Sequence, residues 1–393
     1  MTEALATSAP APDAYVDRKK ALWLLSVVAP AGSLLGPLAY LLGFTDPLWF
    51  FVPLLLFYGG VPLMDAILGE DLSNPPEAAV PRLEQDPYYR WINYAVVPVL
   101  WGTFLFNMVF LATHQLPWYA WLAAALGSGS MMGFGLTLCH ELGHKTDWLN
   151  RKIALFTSAL GAYGHFSIEH NRGHHRHVAT PEDPASARMG ENIYRFALRE
   201  LPGAFVRAWA LEASRLERAG KSRWSVGNEI LQAGAFTVVL YSGLVLAVGV
   251  QVLPLLAVVA LWGAFQLTSA NYVEHYGLLR MKNAAGRYEP CQPHHSWNSN
   301  HVASNLMLFH LERHSDHHAN PSRSYQSLRN FPELPTLPSG YFGMFVAAYI
   351  PPLWYALMDK RLVQTTHGAV ERINFQPARR DALIRKFGLQ PQA

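Results

Sequence analysis

Six apolar runs, arranged as three close pairs, decide what this chain can fold into. They cover residues 22–44 and 47–68, 91–113 and 117–139, and 230–249 and 253–276. Each reaches the roughly 20 residues that a helix needs to cross a bilayer. The links within each pair are only a few residues long, so each pair is predicted to be a helical hairpin. Proline and glycine inside the runs (Pro30, Gly36, Pro37, Pro53, Pro98) are tolerated better in membrane helices than in soluble ones. The charges agree with this count. Apart from Lys145, no Lys or Arg occurs in 21–81, 91–150 or 229–279. All 31 basic residues therefore fall in the N-terminal tail, the 69–90 loop, the 140–229 segment or the chain after 277. In a six-helix arrangement these four regions share one side. The positive-inside rule assigns that side, with both termini, to the cytoplasm.

Composition supports a membrane protein. Of the 393 residues, 51% are hydrophobic and 15% charged, against about 25% charged in a typical soluble domain. A net charge of +3 gives no case for nucleic acid. The two cysteines, Cys139 and Cys291, cannot form a disulfide framework or supply the four thiolates of an iron–sulfur or rubredoxin-type centre. Any such electron carrier must lie elsewhere. Residues 1–20 lack a signal-peptide pattern and are expected to be a disordered tail. Residues 21–360 are expected to form a single membrane domain, and 361–393 a cytoplasmic C-terminal tail. The apolar stretches 153–166 and 341–357 are too short or too interrupted to span, the second by Pro351-Pro352. The first is expected along the interface or within the protein, the second at the interface or packed on the helical cap.

The histidines carry the chemistry. His140 and His144 end the fourth run, in His140-Glu141-Leu142-Gly143-His144. Two further clusters are His170-Asn171-Arg172-Gly173-His174-His175 and His314-Ser315-Asp316-His317-His318, and His275 ends the sixth run. All lie on the basic side. Residues four apart share a helix face, so His140/His144, His170/His174 and His314/His318 can each pair on one metal, with His175, His317 and His275 adding ligands. Nine imidazoles exceed the needs of one ion, so two metals is the economical reading. Imidazole suits Fe, Zn, Cu or Ni. An isolated histidine is usually an ordinary polar residue, and His114, His294, His295, His301 and His367 are read so. His165 and His177 flank the second cluster as surroundings. His310, one turn before His314, is kept as a neighbour of the ligand set. Glu141, Glu169, Glu274, Asp316 and Asp183 are candidates to hold the second ring nitrogen of a ligating histidine.

Together these stretches resemble the histidine-box membrane di-iron enzymes, which include fatty acyl desaturases and hydroxylases. They are closer still to the AlkB-type alkane monooxygenases, through His140–Lys145, Glu169–His175, Leu311–His318 and Asn271–Gly277 with its His-Tyr-Gly. The resemblance runs from about residue 15 to 360. One departure is Glu312, where the family pattern has Gln. The resemblance implies an all-α integral membrane enzyme with two non-haem irons. The implied ligands are His140, His144, His170, His174, His175, His275, His314, His317 and His318. It implies terminal hydroxylation of medium-chain n-alkanes with O2. Two electrons come from NADH through rubredoxin reductase and rubredoxin, in the cytoplasmic membrane of a bacterium.

An alkane has no polar handle, so its site must be an apolar channel from lipid to the metals. Leu136 and Thr137, one turn before His140, are candidates to line it. Phe57 and Tyr58 are candidates to cap its far end. Three rivals remain at this stage. A fatty acyl hydroxylase or desaturase would use the same irons. A zinc metalloprotease is suggested by the H-E-x-x-H match at 140–144, though it leaves most of the histidines unexplained. A metal transporter would place histidines along a path through the bilayer.

Overall fold

The computed structural model describes residues 15–390. Six helices are long and apolar enough to span: α1 (Lys20–Leu41), α2 (Pro47–Leu68), α3 (Pro87–Thr113), α4 (Trp118–Gly143), then, after the cap helices α5 (Trp148–Leu160) and α6 (Ile193–Arg218), α7 (Glu229–Val248) and α8 (Val252–His275). Shorter helices follow, among them α9 (His314–Ala319), α10 (Tyr341–Tyr349) and α11 (Pro351–Thr365). Among the described residues there are isolated bridges but no strand ladder. The molecule is an all-α multi-pass membrane protein, as the six runs require.

Local chemistry sets the helix ends. Asp46, Asp86, Asp147, Asn192 and Asn228 each accept a backbone N–H from the first turn of α2, α3, α5, α6 and α7, the usual satisfaction of orphan donors at a helix start. The Asp86 cap with Pro87 at the first helical position starts α3 four residues before the apolar run. Prolines leave local distortions. Ala29–Leu34, which contains Pro30, is a 3-10 turn. Leu56–Gly60, between Pro53 and Pro62, is a π turn.

α4 is the central helix. In its most apolar stretch 83% of residues are buried, against 17% in α7, whose outer face is left for lipid. Small residues let its neighbours approach. A Cβ on Gly129 would lie 2.8 Å from the Cβ of Trp262, and one on Gly263 would lie 2.7 Å from the Cβ of Met132. Close approach at small residues is how helices associate where no hydrophobic difference drives them together.

Two stretches are placed by packing. The 341–357 stretch, expected at the interface or on the cap, packs against spanning helices and not on the cap. Its two halves, α10 and α11, meet at 119° around Pro351-Pro352, which frees α10 to pack between α8 and the π turn of α2. The chain after 360, expected as a cytoplasmic C-terminal tail, is packed against the rest of the fold. α11 runs through that boundary, and Ile373, Phe375, Leu383 and Leu389 are buried in the same core as α8 and α11. Residues 1–14 of the expected N-terminal tail lie outside the described residues. Residues 17–20 are tied down by Asp17 to Trp23 and Tyr89, Lys19 to Asp71 and Lys20 to Asp86.

Gly263→Val is expected to wedge α8 from α4 and destabilise the protein by about 1–3 kcal/mol. Its melting temperature in detergent should fall, while Gly234→Val on α7, where a Cβ meets nothing within 4 Å, should change little.

Candidate metal centre

All nine boxed histidines meet at the cap-side ends of α4 and α8. They form two groups, His140, His144, His170, His175 and His317 in one, and His174, His275, His314 and His318 in the other. Within each group the ligand atoms lie within 4.8 Å of one another. The groups adjoin: His175 and His318 have ring centroids 4.5 Å apart.

This division corrects the expected pairing of His170 with His174. Residues His170–His174 form a π turn, not an α turn. A π turn bonds i to i+5, and it brings His170 and His175 together, with Nε2 atoms 3.0 Å apart. His174 is turned to the other group. The α-helical pairs His140/His144 and His314/His318 each stay within one group.

The nitrogen atoms fit a pair of cations. His140, His144 and His174 have a buried Nε2 with no hydrogen-bond partner. The other Nε2 atoms face mainly one another: His175 to His317 at 3.1 Å, His275 to His314 at 3.2 Å, His314 to His318 at 2.9 Å. Two ligands about 2.1 Å from one ion and at right angles lie about 3 Å apart. Burial, reinforced by the neighbouring rings, holds His170, His175, His314, His317 and His318 well below the ordinary imidazole value. They are neutral, as metal ligands must be.

His174 is the exception, and its partner explains why. Its Nδ1 donates to Asp183 Oδ2 at 2.9 Å, which leaves Nε2 as the lone-pair nitrogen. Burial alone would lower this histidine, but the Asp183 carboxylate outweighs it and raises it. Arg207 on α6 binds both Asp183, at 2.7 Å, and Glu169. The spacing of residues gave no hint of Arg207. Gly173 makes room for it: a Cβ there would lie 2.6 Å from Arg207 Nε.

The other predicted neighbours go elsewhere. Glu141 pairs with Lys145 at 3.0 Å. Asp316 accepts from Asn320, Arg323 and the Arg329 backbone. His310 packs edge-on against Trp23, outside both groups. Glu274 does approach histidine, but at Nε2 of His314, 3.3 Å away, so its carboxylate faces the space the ligand nitrogens enclose. Glu312, the departure from the family pattern, is buried. It accepts from the Tyr341 backbone at 2.9 Å and from Asn305 at 3.3 Å. Burial, helped by Asp65, pushes its carboxyl up to about 8, so it stands at neutral pH as an uncharged near-isostere of glutamine.

An apolar cavity ends on this centre. Its inner end is His140, His170, His314 and Glu274, and Leu136 and Thr137 are among its lining residues. Tyr341, Phe342 and Phe345 of α10 close one wall, a role the sequence reading had not given that helix. Ser130 and Gln266 stand far along α4 and α8, about nine or ten residues, or roughly 15 Å, from the histidines. Phe57 lies behind the lining, with ring centroids 5.4 Å from Phe134 and 6.4 Å from Phe342. Tyr58 closes behind Ser130 and Gln266, bonded to them at 2.9 and 2.5 Å.

A family model described as fatty acid desaturase matches residues 115–348. The chain belongs to the fatty acid desaturase family. Within it, this desaturase-family chain is 52% identical to alkane 1-monooxygenase 1 of Alcanivorax borkumensis, over 99% of its own length and 97% of the relative's. It is 50% identical to the alkane 1-monooxygenases of Ectopseudomonas oleovorans and Pseudomonas putida, over 95% of its length and 93% and 92% of theirs. Glu141, the acid of the H-E-x-x-H match, is paired with Lys145.

Asp183→Asn is expected to lower metal affinity about 10- to 100-fold, read as metal retained after dialysis against a graded chelator. Glu312→Gln tests the neutral acid. The native carboxyl is raised from 4.5 to about 8, so the folded state holds a proton the unfolded state has lost. Native stability therefore falls as pH rises through that window. The melting temperature of the variant relative to the native protein should rise over the same window.

Proposed function

We propose that this protein hydroxylates the terminal carbon of medium-chain n-alkanes. The reaction is R–CH3 + O2 + 2 electrons + 2 protons → R–CH2OH + H2O. The observation that carries it is an apolar cavity whose inner end is built from the two histidine groups. Support comes from relatives at 50–52% identity named alkane 1-monooxygenase.

His140, His144, His170, His175 and His317 would hold one iron, and His174, His275, His314 and His318 the other. When bound, the irons supply the redox chemistry that activates O2 for an inert C–H bond. The chain's own residues do the rest. Phe134, Leu136, Leu267, Ala270, Phe342 and Phe345 bury the alkyl chain, at roughly 0.8 kcal/mol per CH2. Their packing also keeps water from the reacting end. The cavity terminates at His140 and His314, so a chain lying along it presents its methyl end first. Asp183 fixes the His174 tautomer, and Arg207 fixes Asp183. Lacking four cysteines, the chain takes its electrons from rubredoxin, as a separate protein or a fused domain, served by an NADH-dependent reductase. The basic cap faces the cytoplasm from a bacterial inner membrane.

Detergent-purified protein given octane, O2 and reduced rubredoxin should form 1-octanol. Oxidation of fatty acyl substrates with octane untouched would favour an acyl hydroxylase or desaturase. Phe57→Ala should relax the wall behind Phe134 and Phe342 and move the preferred alkane to longer chains. Each extra CH2 accommodated should be worth about fourfold in kcat/KM. An unchanged chain-length profile would remove Phe57 from the channel.

A further inference from the structure

The apolar cavity ends on polar groups at its far end as well as at its histidine end. Its lining lies furthest from the histidines at Ser130 and Gln266, about half-way along α4 and α8. Side chains from α2, α4, α8 and α10 are knotted together there. The Gln266 amide is used on both sides. Tyr58 Oη on α2 donates to its Oε1 at 2.5 Å, and its Nε2 donates to Tyr349 Oη, at the end of α10, at 3.3 Å. Ser130 Oγ lies 2.9 Å from Tyr58 Oη and accepts from Trp262 Nε1 at 3.0 Å. Ser269 Oγ lies 3.1 Å from Tyr349 Oη. Gln266 is buried, while Tyr58, Trp262 and Tyr349 are half-buried. The knot therefore has an inner side on the cavity and an outer side on the surface of the spans.

Magnitudes decide what such an end does to an alkyl chain. An extended chain advances about 1.25 Å per carbon. The roughly 15 Å from the histidines to Gln266 therefore takes about twelve carbons. Burying one more CH2 is worth about fourfold in affinity. To make room for it, the chain must push Gln266 away from Tyr58 and Tyr349. Each buried hydrogen bond left unmade costs about fivefold to 150-fold. An alkane brings no donor or acceptor to replace it, and a span offers no water. The bonds outweigh the added burial, so the end wall holds where a purely apolar wall would yield.

We propose that Gln266, braced by Tyr58 and Tyr349, is the chain-length stop of the cavity, admitting alkanes up to about dodecane and rejecting longer ones. The inference rests on the alkane reading above and adds to it a residue that sets the upper limit. The same bonds also join the helices, as polar groups within spans do, so the test must read more than stability.

kcat/KM is measured for n-alkanes from hexane to hexadecane, with full-length detergent-purified protein, O2 and reduced rubredoxin. The native protein should lose at least about fivefold between dodecane and hexadecane. Gln266→Leu, which keeps the bulk and removes the amide, should raise the hexadecane-to-dodecane ratio at least about fivefold. Tyr349→Phe and Tyr58→Phe should raise it in the same direction, and they carry the test if Gln266→Leu does not fold. The ratio separates a stop from a brace, because loosened packing lowers all chain lengths together. Binding of the same alkanes, followed as a shift in melting temperature, reads the limit without turnover. Binding that fades beyond dodecane with no alkane oxidised would support the stop and overturn the assigned reaction. Octane oxidised with no native drop by hexadecane, or with the ratio unchanged in the variants, would overturn the stop and leave the reaction standing.

Discussion

Nine imidazoles crowd into one buried volume at the foot of six helices, and everything else in the structure answers to that crowding. Stripped of water, such rings can be packed only as neutral groups with a positive charge to face. Burial enforces the first condition on His170, His175, His314, His317 and His318. The geometry of the Nε2 atoms, three without partners and the rest directed chiefly at each other about 3 Å apart, meets the second when two cations are bound. Asp183 works at the one ring whose outer nitrogen is anchored to a carboxylate, and Arg207 keeps that carboxylate charged and in place.

The membrane architecture delivers these rings and a substrate to one place. α4 is central because glycines along it let α8 pack almost backbone to backbone, and α4 and α8 each carry a histidine of the centre in the last turn. The same two helices carry the cavity wall from Ser130 and Gln266 down to His140 and Glu274. A chain lying in the cavity would run along helices that end at the histidine groups. Glu274 is the only carboxylate among the cavity's lining residues, and Thr137, Asn271 and Tyr341 are the other polar groups near its histidine end.

Much of this was legible in the sequence. Spans 20 residues long, with basic residues confined to one side, leave few arrangements, and those arrangements put all three histidine boxes and His275 at one face. What spacing could not tell was the assignment of His174 and His175. An i to i+4 rule presumes α geometry, and the π turn at His170–His174 breaks it. Arg207 was invisible because its role depends on a contact between helices far apart in sequence. The place of α10 was left between the interface and the cap for a similar reason. Pro351-Pro352 signalled a break, but the direction of the 119° turn, and so the burial of Tyr341, Phe342 and Phe345 beside the cavity, is set by tertiary packing. Glu312 departs from the family pattern outside the ligand set, and burial makes it a conservative replacement.

The central claim is that nine histidines hold two irons through nitrogen alone. Iron K-edge absorption on the purified protein, with metal content measured on the same sample, tests it most directly. The account predicts two irons per chain and a first shell fitted by four to five imidazole nitrogens per iron. One metal per chain, zinc in place of iron, or a shell dominated by carboxylate oxygen would contradict it.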